Sequence, residues 1–224
     1  MAGGKQQADW RLFEHEMRDL VEAFGYRAEA TSPIYDFGVD VIAHSKDRTV
    51  VIQCKLYGTG RIGGETMMKL VGSRTYFKAT DAICITTSKF TKQAQEIAEK
   101  EDIKLVDCEK LILLCREQNL TIPSLTVLTI QPSAIIEITE TEMRIGRQQN
   151  NQIVLSSSLV SRHHAQLSRN KLTLCLKDNA STNGTNVNGH RLIAPAILNY
   201  GDVISICGTE LTVYLRTPTG KLCS

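Results

Sequence analysis

Residues 36–55 hold the pattern around which the N-terminal half of the chain is organised. They read Asp36-Phe37-Gly38-Val39-Asp40-Val41-Ile42-Ala43, then a polar turn, then Thr49-Val50-Val51-Ile52-Gln53-Cys54-Lys55. Short β-branched apolar runs on either side of a polar turn are typical of the two strands of a hairpin. Such a hairpin would bring Asp40, at the start of one strand, near Gln53 and Lys55 at the end of the next. Because side chains alternate along a strand, Gln53 and Lys55 share one face and Cys54 points to the other.

The converging side chains form a set suited to metal-assisted hydrolysis. Asp40 and the side-chain carbonyl of Gln53 offer the hard oxygen ligands that Mg²⁺ prefers. Lys55 could orient or help deprotonate a metal-bound water, or stabilise charge that develops on a phosphate. A carboxylate poised for a metal would be partly exposed, so we expect its removal to leave the fold intact. For Lys55 taken alone, a solvated lysine at a strand end is the alternative interpretation.

The pattern resembles the PD-(D/E)xK nucleases, and most closely their Mrr-like branch, in which Gln replaces the second acid. The resemblance covers about residues 8 to 117 and includes Phe13-Glu14, Gly25-Tyr26, Gly38-Val39-Asp40, Gln53-Cys54-Lys55, Ile85-Thr86-Thr87-Ser88 and Phe90-Thr91. It implies a Mg²⁺-dependent endonuclease acting on double-stranded DNA, of the type II or IV restriction-like kind. Asp40, Gln53 and Lys55 would be catalytic, with Asp40 and Gln53 as the metal ligands.

Glu14 is the residue on which the resemblance and the local pattern differ most. By resemblance it faces the active site as a secondary acid. From its position on the flank of an apolar helical stripe, it would otherwise be an ordinary surface carboxylate. A homodimer is also expected, because one site of this type cuts one strand and a two-fold pair of sites can cut both.

The hydrophobic pattern of residues 1–120 predicts an α/β domain, with a mixed sheet flanked by helices. One helix is predicted over residues 65–78, with Met68 and Val71 facing inward. The hydroxyl groups of residues 86–88 follow a buried strand, and we interpret them as turn hydroxyls that bond the backbone.

After residue 120 the character of the sequence changes. Residues 119–124 break the helical pattern and are predicted to be a short linker. Over residues 124–216, many short strands alternate with turns without a helical period, which is typical of an all-β sandwich. Residues 217–224 are predicted to be a frayed tail. An apolar content of 42% is enough for one core in each of two domains.

The specific polar residues of the predicted sandwich lie in its loops, where a rigid β scaffold often carries a binding site. Their combination resembles the forkhead-associated (FHA) domain, which recognises phosphothreonine, over about residues 124 to 216. The matching residues are Gly146-Arg147, Asn151, Ile153, Leu155, Ser161-Arg162, His164, Asp178, Ser181, Asn183-Gly184-Thr185, Asn188-Gly189 and Gly201-Asp202. By this resemblance, His164 braces a loop and does not contact the ligand.

The chemistry of the loop residues agrees with a phosphopeptide ligand. Arg147 and Arg162 supply planar guanidinium forks for a phosphate dianion. Ser161 adds a short neutral donor, and backbone N–H groups around Thr182 can complete the cradle. Asn183 can pair with the main chain of the peptide through its amide. The expected partner is therefore a protein or peptide that contains phosphothreonine.

The charge of the chain limits how tightly it can bind DNA. The 224 residues carry a formal net charge of +2, and residues 1–120 carry 17 basic and 18 acidic side chains. A near-neutral N-terminal half argues against tight non-specific binding to DNA, which needs clustered Lys and Arg. A local basic face is still open, with Lys55, Arg61, Lys69, Arg74, Lys78, Lys89 and Lys92 as its candidates.

The cysteines and the apolar runs of the sequence indicate the cellular compartment. The seven cysteines include no CxxC pair, and several lie inside apolar runs. This placement argues for a reducing compartment rather than a disulfide scaffold. No apolar run approaches the length of a membrane span, and the first residues lack the apolar core of a signal peptide. We expect a cytoplasmic protein without membrane contact.

Two functional hypotheses follow. The first is a Mg²⁺-dependent DNA endonuclease that is recruited or regulated through phosphothreonine recognition. The alternative is a non-catalytic DNA-binding or scaffold protein that is tethered to a phosphorylated partner. The intact set of Asp40, Gln53 and Lys55 favours the enzyme, whereas the near-neutral charge favours the alternative.

Overall fold

The computed structural model describes residues 3–32, 37–57, 60–130 and 134–223. Asp36 of the hairpin segment lies outside the described residues. The chain divides into two compact units, Met1–Leu114 with Thr217–Lys221, and Cys115–Arg216 with Leu222–Ser224. The first unit is an α/β structure and the second is all-β, as the sequence predicts.

Up to residue 117, the described residues form both helices and strands. In order they are α1 (Gly3–Ala23), β1 (Arg27–Ala30), β2 (Val41–Ser45), β3 (Arg48–Lys55), β4 (Arg61–Ile62), α2 (Gly64–Tyr76), β5 (Asp81–Thr86), β6 (Lys89–Phe90), α3 (Lys92–Lys100), β7 (Ile103–Val106) and α4 (Cys108–Glu117).

The first unit is built on a mixed five-stranded sheet of order β1-β2-β3-β5-β7. The strands β1, β2 and β3 are antiparallel neighbours, while β3, β5 and β7 run parallel. In the β2–β3 hairpin, Val41 lies opposite Ile52. Residues 50–54 of the central strand β3 are all buried, which is the pattern of a strand covered on both faces. This register sets Asp40, just before β2, beside the end of β3.

The inward face of α2 differs from the prediction by one residue. The buried positions follow three-residue steps: Gly64, Met67, Leu70 and Ser73. Met68 is instead 58% exposed, and Val71 is half-buried. The face is set in part by a polar contact, because Ser73 Oγ donates to the carbonyl oxygen of Phe37 at 2.5 Å. A prediction from apolar residues alone does not place a serine on the buried face. It therefore chose Met68 in place of Met67 as the inward methionine.

Beyond residue 120, a short 3₁₀ helix (Pro123–Leu125) precedes a series of short strands. They are β8 (Thr126–Ile130), β9 (Ala134–Glu137), β10 (Glu142–Gly146), β11 (Ile153–Val154), β12 (Ala165–Asn170), β13 (Thr173–Asp178), β14 (Asn186–Val187), β15 (His190–Arg191), β16 (Ala196–Leu198), β17 (Val203–Ile206), β18 (Thr209–Arg216) and β19 (Leu222–Cys223).

These strands form two sheets, in agreement with the predicted sandwich. One has the order β11-β10-β12-β13-β16, and the other has the order β15-β14-β17-β18-β8-β9 with β19 paired to β18. The apolar side chains that alternate along β12, β13 and β18 are buried between polar neighbours. The loops that carry the polar motif join strands of both sheets.

Two segments differ from their predicted character. The linker at residues 119–124 is packed rather than free, since Leu120 and Ile122 are buried and the Ile122 N–H donates to the hydroxyl of buried Tyr200 at 2.7 Å. The predicted tail is also ordered: the Thr217 N–H donates to the Lys221 carbonyl at 2.8 Å, and β19 follows. The bond at Ile122 depends on Tyr200, which is remote in sequence.

All seven cysteines lie within the described residues as free thiols. Burial raises the pKa of the Cys84 and Cys115 thiols to about 12, so they behave as small apolar groups. In the part of the chain that the structure describes, no helix is both long and apolar enough to cross a membrane.

Candidate functional site

Asp40 is fixed by its backbone and by its carboxylate. Its N–H donates to the Ile52 carbonyl at 2.9 Å, and its own carbonyl accepts from the Thr31 N–H at 3.0 Å. The carboxylate accepts from the Cys54 N–H at 2.5 Å and from the side-chain amide of Gln53. Asp40 is only 3% exposed, so the expectation of a partly exposed carboxylate is wrong. Its removal would leave buried donors without an acceptor, which costs about 1–3 kcal/mol.

Gln53 is buried beside Asp40 at the end of β3 and presents its amide nitrogen to the carboxylate. Its amide oxygen faces the turn before β2, where a Cβ added at Gly38 would lie 3.3 Å from that oxygen. Gly38 also has a φ of +76°, a left-handed conformation that favours glycine. The turn therefore admits the amide because position 38 carries no side chain.

Glu14 enters the same site from α1, which the buried side chains of Phe13 and Met17 anchor to the sheet. Burial, the charge of Asp40 and a hydrogen bond to Asp40 raise the pKa of Glu14 to about 8. Burial also raises the pKa of Asp40, although the Cys54 N–H and the charge of Lys55 oppose this rise. Asp40 is buried and Glu14 is half-buried, so two negative charges side by side are unfavourable there, and Glu14 keeps its proton near neutral pH. Glu14 thus lies beside Asp40, half-buried and with a raised pKa.

Lys55 ends β3 half-buried, and its charge lowers the pKa values of both Glu14 and Asp40. The backbone around it is held by hydroxyl groups: Thr86 Oγ1 donates to the Lys55 carbonyl at 2.8 Å. Thr87 Oγ1 accepts from the Tyr57 N–H at 3.1 Å. These hydroxyls bond the backbone, as predicted for residues 86–88. The structure therefore brings Glu14 and Lys55 together with the Asp40 carboxylate.

The side chains around Asp40 offer oxygen donors of the kind that bind a divalent cation. Two carboxyl groups and an amide oxygen are hard ligands of the type that Mg²⁺ takes. The proton that Glu14 keeps near neutral pH balances charge that a cation beside Asp40 would balance instead. The amide oxygen of Gln53 would join such a site only after the amide rotates. No group of three His, Cys, Asp or Glu side chains forms a metal cluster among the described residues. The residues present fit a cation held by Glu14 and Asp40 with much of its water retained.

The basic face left open by the sequence is partly neutralised. Four of its members have carboxylate partners: Lys69 with Glu65 at 2.8 Å, Arg74 with Glu101 at 3.6 Å, Lys89 with Glu109 at 2.8 Å and Lys92 with Glu96 at 3.8 Å. Most of these pairs are exposed, so each contributes little and can exchange for another anion. The field that this face presents to DNA is weaker than the number of Lys and Arg suggests.

In the second unit, His164 connects the two loops that carry the polar motif. It is fully buried, and its Nδ1 accepts from the Ser161 N–H at 3.1 Å. In a neutral imidazole, Nε2 then carries the proton, and it donates to the Gly184 carbonyl at 3.1 Å. Ser161 in turn meets the other loop directly, because the Thr182 N–H donates to its Oγ at 3.1 Å. These contacts fix Ser161 and Thr182 side by side.

Arg147 and Arg162 lie in loops whose backbones are bonded together. The Arg147 N–H donates to the Ser161 carbonyl at 3.1 Å. A Cβ at Gly146 would overlap the carbonyl oxygen of Arg162, so this approach requires glycine. Both guanidinium groups are exposed, and neither has an ion pair or a side-chain hydrogen bond within the described residues. Two cations without an internal acceptor thus face solvent beside Ser161.

Asn183 is held from two sides. Its amide nitrogen donates to the Leu159 carbonyl at 2.8 Å, which leaves its oxygen and one N–H for a ligand. Its own carbonyl accepts from Arg191 Nη1 at 2.7 Å. The loop below it is tied by Asp178, whose carboxylate accepts from Ser181 Oγ and Thr185 Oγ1, both at 2.7 Å.

Two residues with a structural part in these sites were not identified from the sequence. Ser73 holds the turn before Asp40, and Arg191 holds Asn183. Neither belongs to a local motif, and a serine in a helix or an arginine in a short strand carries no signal of its partner. Only an alignment of many sequences could have marked them.

Two family models match the chain. The restriction endonuclease model Mrr_cat matches residues 6–115, and the FHA domain model matches residues 143–207. Between them they contain each of the predicted site residues.

Curated relatives match part of the chain. The transcriptional regulatory protein EmbR of Mycobacterium tuberculosis is 41% identical over 76 residues, which are 34% of this chain and 20% of EmbR. The ABC transporter ATP-binding/permease protein Rv1747 of the same species is 46% identical over 69 residues, 31% of this chain and 8% of that protein. The matched segment thus spans a fifth or less of these relatives.

Among solved structures, the FhaA FHA domain complexed with the intracellular domain of Rv3910 is 31% identical. The match covers 39% of this chain and 98% of the FhaA FHA domain, with a TM-score of 0.38. A second solved structure is Mycobacterium tuberculosis EmbR in complex with a low affinity phosphopeptide, which is 23% identical. The match covers 66% of this chain and 41% of the EmbR chain, with a TM-score of 0.41.

Proposed function

We propose, from the premise that the chain joins a domain of the Mrr_cat restriction endonuclease family to an FHA domain, that it is a Mg²⁺-dependent DNA endonuclease directed by phosphothreonine recognition. The observation that carries the enzymatic part is the Glu14–Asp40 carboxyl pair, in which Asp40 is buried, Glu14 is half-buried and the charge of Lys55 acts on both. Like charges held together in a partly dry site cost free energy, and such an arrangement is typical of functional sites.

Each residue of the first site has a distinct part in this proposal. Glu14 and Asp40 would hold the ion, and the Cys54 N–H fixes the orientation of the Asp40 carboxylate. A bound Mg²⁺ would polarise the scissile phosphate and lower the pKa of water. With a cation bound, Glu14 would give up the proton that it keeps near neutral pH and would bind as a carboxylate. Lys55 stabilises the negative charge that develops on the phosphate.

The second unit supplies recognition rather than chemistry. The observation that supports this part is the pair of exposed guanidinium groups, Arg147 and Arg162, beside the fixed Ser161 hydroxyl. A phosphate dianion would satisfy both cations with charge-assisted bonds. Asn183 would bond the main chain of the peptide, and Thr182 would add its backbone N–H. His164 would act through Ser161 and not through the ligand.

One pair of experiments tests both parts. Supercoiled plasmid is incubated with the full chain in Mg²⁺ and in EDTA, and peptide binding is measured by calorimetry with matched phosphothreonine and threonine peptides. We expect nicking in Mg²⁺ only, and binding of the phosphorylated peptide only. Phosphopeptide binding without cleavage in any divalent metal would instead support a scaffold tethered to a phosphorylated partner. Cleavage with equal binding of both peptides would remove the recognition part alone.

A further inference from the structure

Three aromatic rings lie together beside the Asp40 site. Phe37 and Tyr76 stack with ring centroids 4.4 Å apart and 29° between their planes, and Phe77 meets both rings edge-on. Phe37 is 53% exposed and Tyr76 is 63% exposed. A stacked aromatic pair that stays open to solvent exposes apolar surface. Covering that surface with a ligand would be favourable. Its position next to the candidate active site therefore calls for a ligand.

The ring of Phe37 is held in place at a conformational cost. Phe37 has a φ of +43°, in the left-handed region that a bulky residue rarely adopts. Ser73 Oγ donates to the Phe37 carbonyl at 2.5 Å and so joins this turn to α2. The same turn continues through Gly38 to Asp40. The aromatic pair is thus anchored to the segment that delivers the acidic site.

Two lysines lie near the aromatic pair, Lys69 on α2 and Lys78 two residues after the end of α2 at Tyr76. The Cβ of Lys69 is 3.8 Å from the place that a Cβ at Gly38 would occupy, and its ammonium pairs at 2.8 Å with exposed Glu65. An exposed pair of this kind can exchange its carboxylate for a phosphate. Lys78 follows Phe77, is exposed, and makes no ion pair within the described part of the chain. The flat apolar surface is therefore flanked by positive charge.

We propose that Phe37 and Tyr76 form a stacking platform for an unpaired base of the DNA substrate, with Lys69 and Lys78 placed for the neighbouring phosphates. The proposal rests on the proposed nuclease function and specifies its substrate class, DNA with an unpaired or displaced base near the cleaved bond. Aromatic rings stack on any base because each base has a π face, and lysines contact the backbone. A fully paired duplex hides those faces and leaves the platform without a ligand.

The test uses the full chain in EDTA, so that binding is measured without cleavage. The probes are two duplexes of one sequence, one fully paired and one with a single unpaired 2-aminopurine, whose fluorescence falls when the base stacks. We expect tighter binding and quenching with the unpaired probe. Phe37→Leu and Tyr76→Leu should each weaken that binding by roughly 5- to 140-fold. Tyr76→Phe should retain it, and Met68→Ala, an exposed change on the same helix, should have no effect.

Equal affinity for the two duplexes, or unchanged quenching in both leucine variants, would overturn the platform. A shift of the leucine variants from dimer to monomer in sedimentation, with DNA binding unchanged, would also overturn it, because the rings would then cover a second copy. The proposed function fails differently. Quenching by a protein that cleaves no plasmid in Mg²⁺ removes the nuclease and keeps the platform.

Discussion

Glu14 of α1 hydrogen-bonds to Asp40 at the entry of β2, and burial raises the pKa of both carboxyl groups, that of Glu14 to about 8. Glu14 therefore keeps its proton near neutral pH. Lys55 opposes the rise but does not cancel it. A divalent cation would replace the proton and balance the charge of the pair. Substitution of either carboxyl group therefore tests metal binding directly.

Glu14→Gln should raise the Mg²⁺ concentration needed for half-maximal cleavage by at least about 10-fold, because it replaces a charged oxygen with a neutral one and even the loss of an outer-shell partner costs about 10- to 100-fold. A Mg²⁺ titration of plasmid nicking measures this. Glu22→Gln, an exposed change on the same helix, is the control and should behave as wild type. An unchanged Mg²⁺ requirement in Glu14→Gln would remove Glu14 from the site.

Asp40→Ala and Asp40→Asn should both abolish cleavage but differ in stability. The alanine leaves the buried Cys54 N–H without an acceptor and should lower the free energy of unfolding by about 1–3 kcal/mol. The asparagine keeps an acceptor oxygen and should lose less. Urea unfolding of the two variants gives the comparison, and residual Mg²⁺-dependent nicking by Asp40→Asn would contradict the assignment.

Lys55→Ala should slow cleavage by roughly 10²–10³-fold, the usual loss for one charge-stabilising donor. Lys46→Ala, in the exposed turn between β2 and β3, removes the same charge away from the site and should cleave at the wild-type rate. Single-turnover rates with saturating Mg²⁺ separate the two. Equal rates for both variants would leave Lys55 as a solvated lysine at a strand end.

Arg147→Ala should lose phosphothreonine peptide affinity by about 10- to 150-fold, since a bond to a charged group contributes about 1.5–3 kcal/mol. Cleavage of free plasmid should be unaffected, because recognition and chemistry lie in different units. Arg216→Ala, whose guanidinium is paired with Glu137, is the matched control. A plasmid-dead Arg147→Ala that is still folded would contradict recruitment as the role of the second unit.

Asp178→Asn should destabilise the second unit in a pH-dependent way. Burial raises the pKa of Asp178, but hydrogen bonds from Thr185 and Ser181 outweigh it, and the net pKa is lowered. A lowered pKa stabilises the fold above the unfolded value of about 3.9, and this contribution disappears as the pH falls through the folded pKa. Hydrogen exchange of β12 and β13 should therefore separate wild type from variant at pH 7 more than at pH 3. Glu142→Gln, an exposed change on β10, should show no such difference.

The sequence by itself determined the two folds and the positions of most site residues. Period-two apolar runs and their turns fix a hairpin, and that hairpin brings Asp40 beside Gln53 because strand pairing leaves few registers. The polar motif of residues 146–189 is likewise local to loops between short strands. Where residues that are neighbours in space are also close in sequence, the sequence pattern and spacing are sufficient to predict their contact.

Tertiary structure alone decided the burial of Asp40, the raised pKa of Glu14 beside it and the inward face of α2. Each depends on a contact between elements that are remote along the chain, such as Ser73 with the turn at Phe37. Hydrophobic periodicity reports which residues are apolar, but a buried serine, a pKa shift and an exposed aromatic pair arise from packing. The electrostatic character of the site was therefore beyond the sequence, because desolvation is a property of the surroundings and not of the residue.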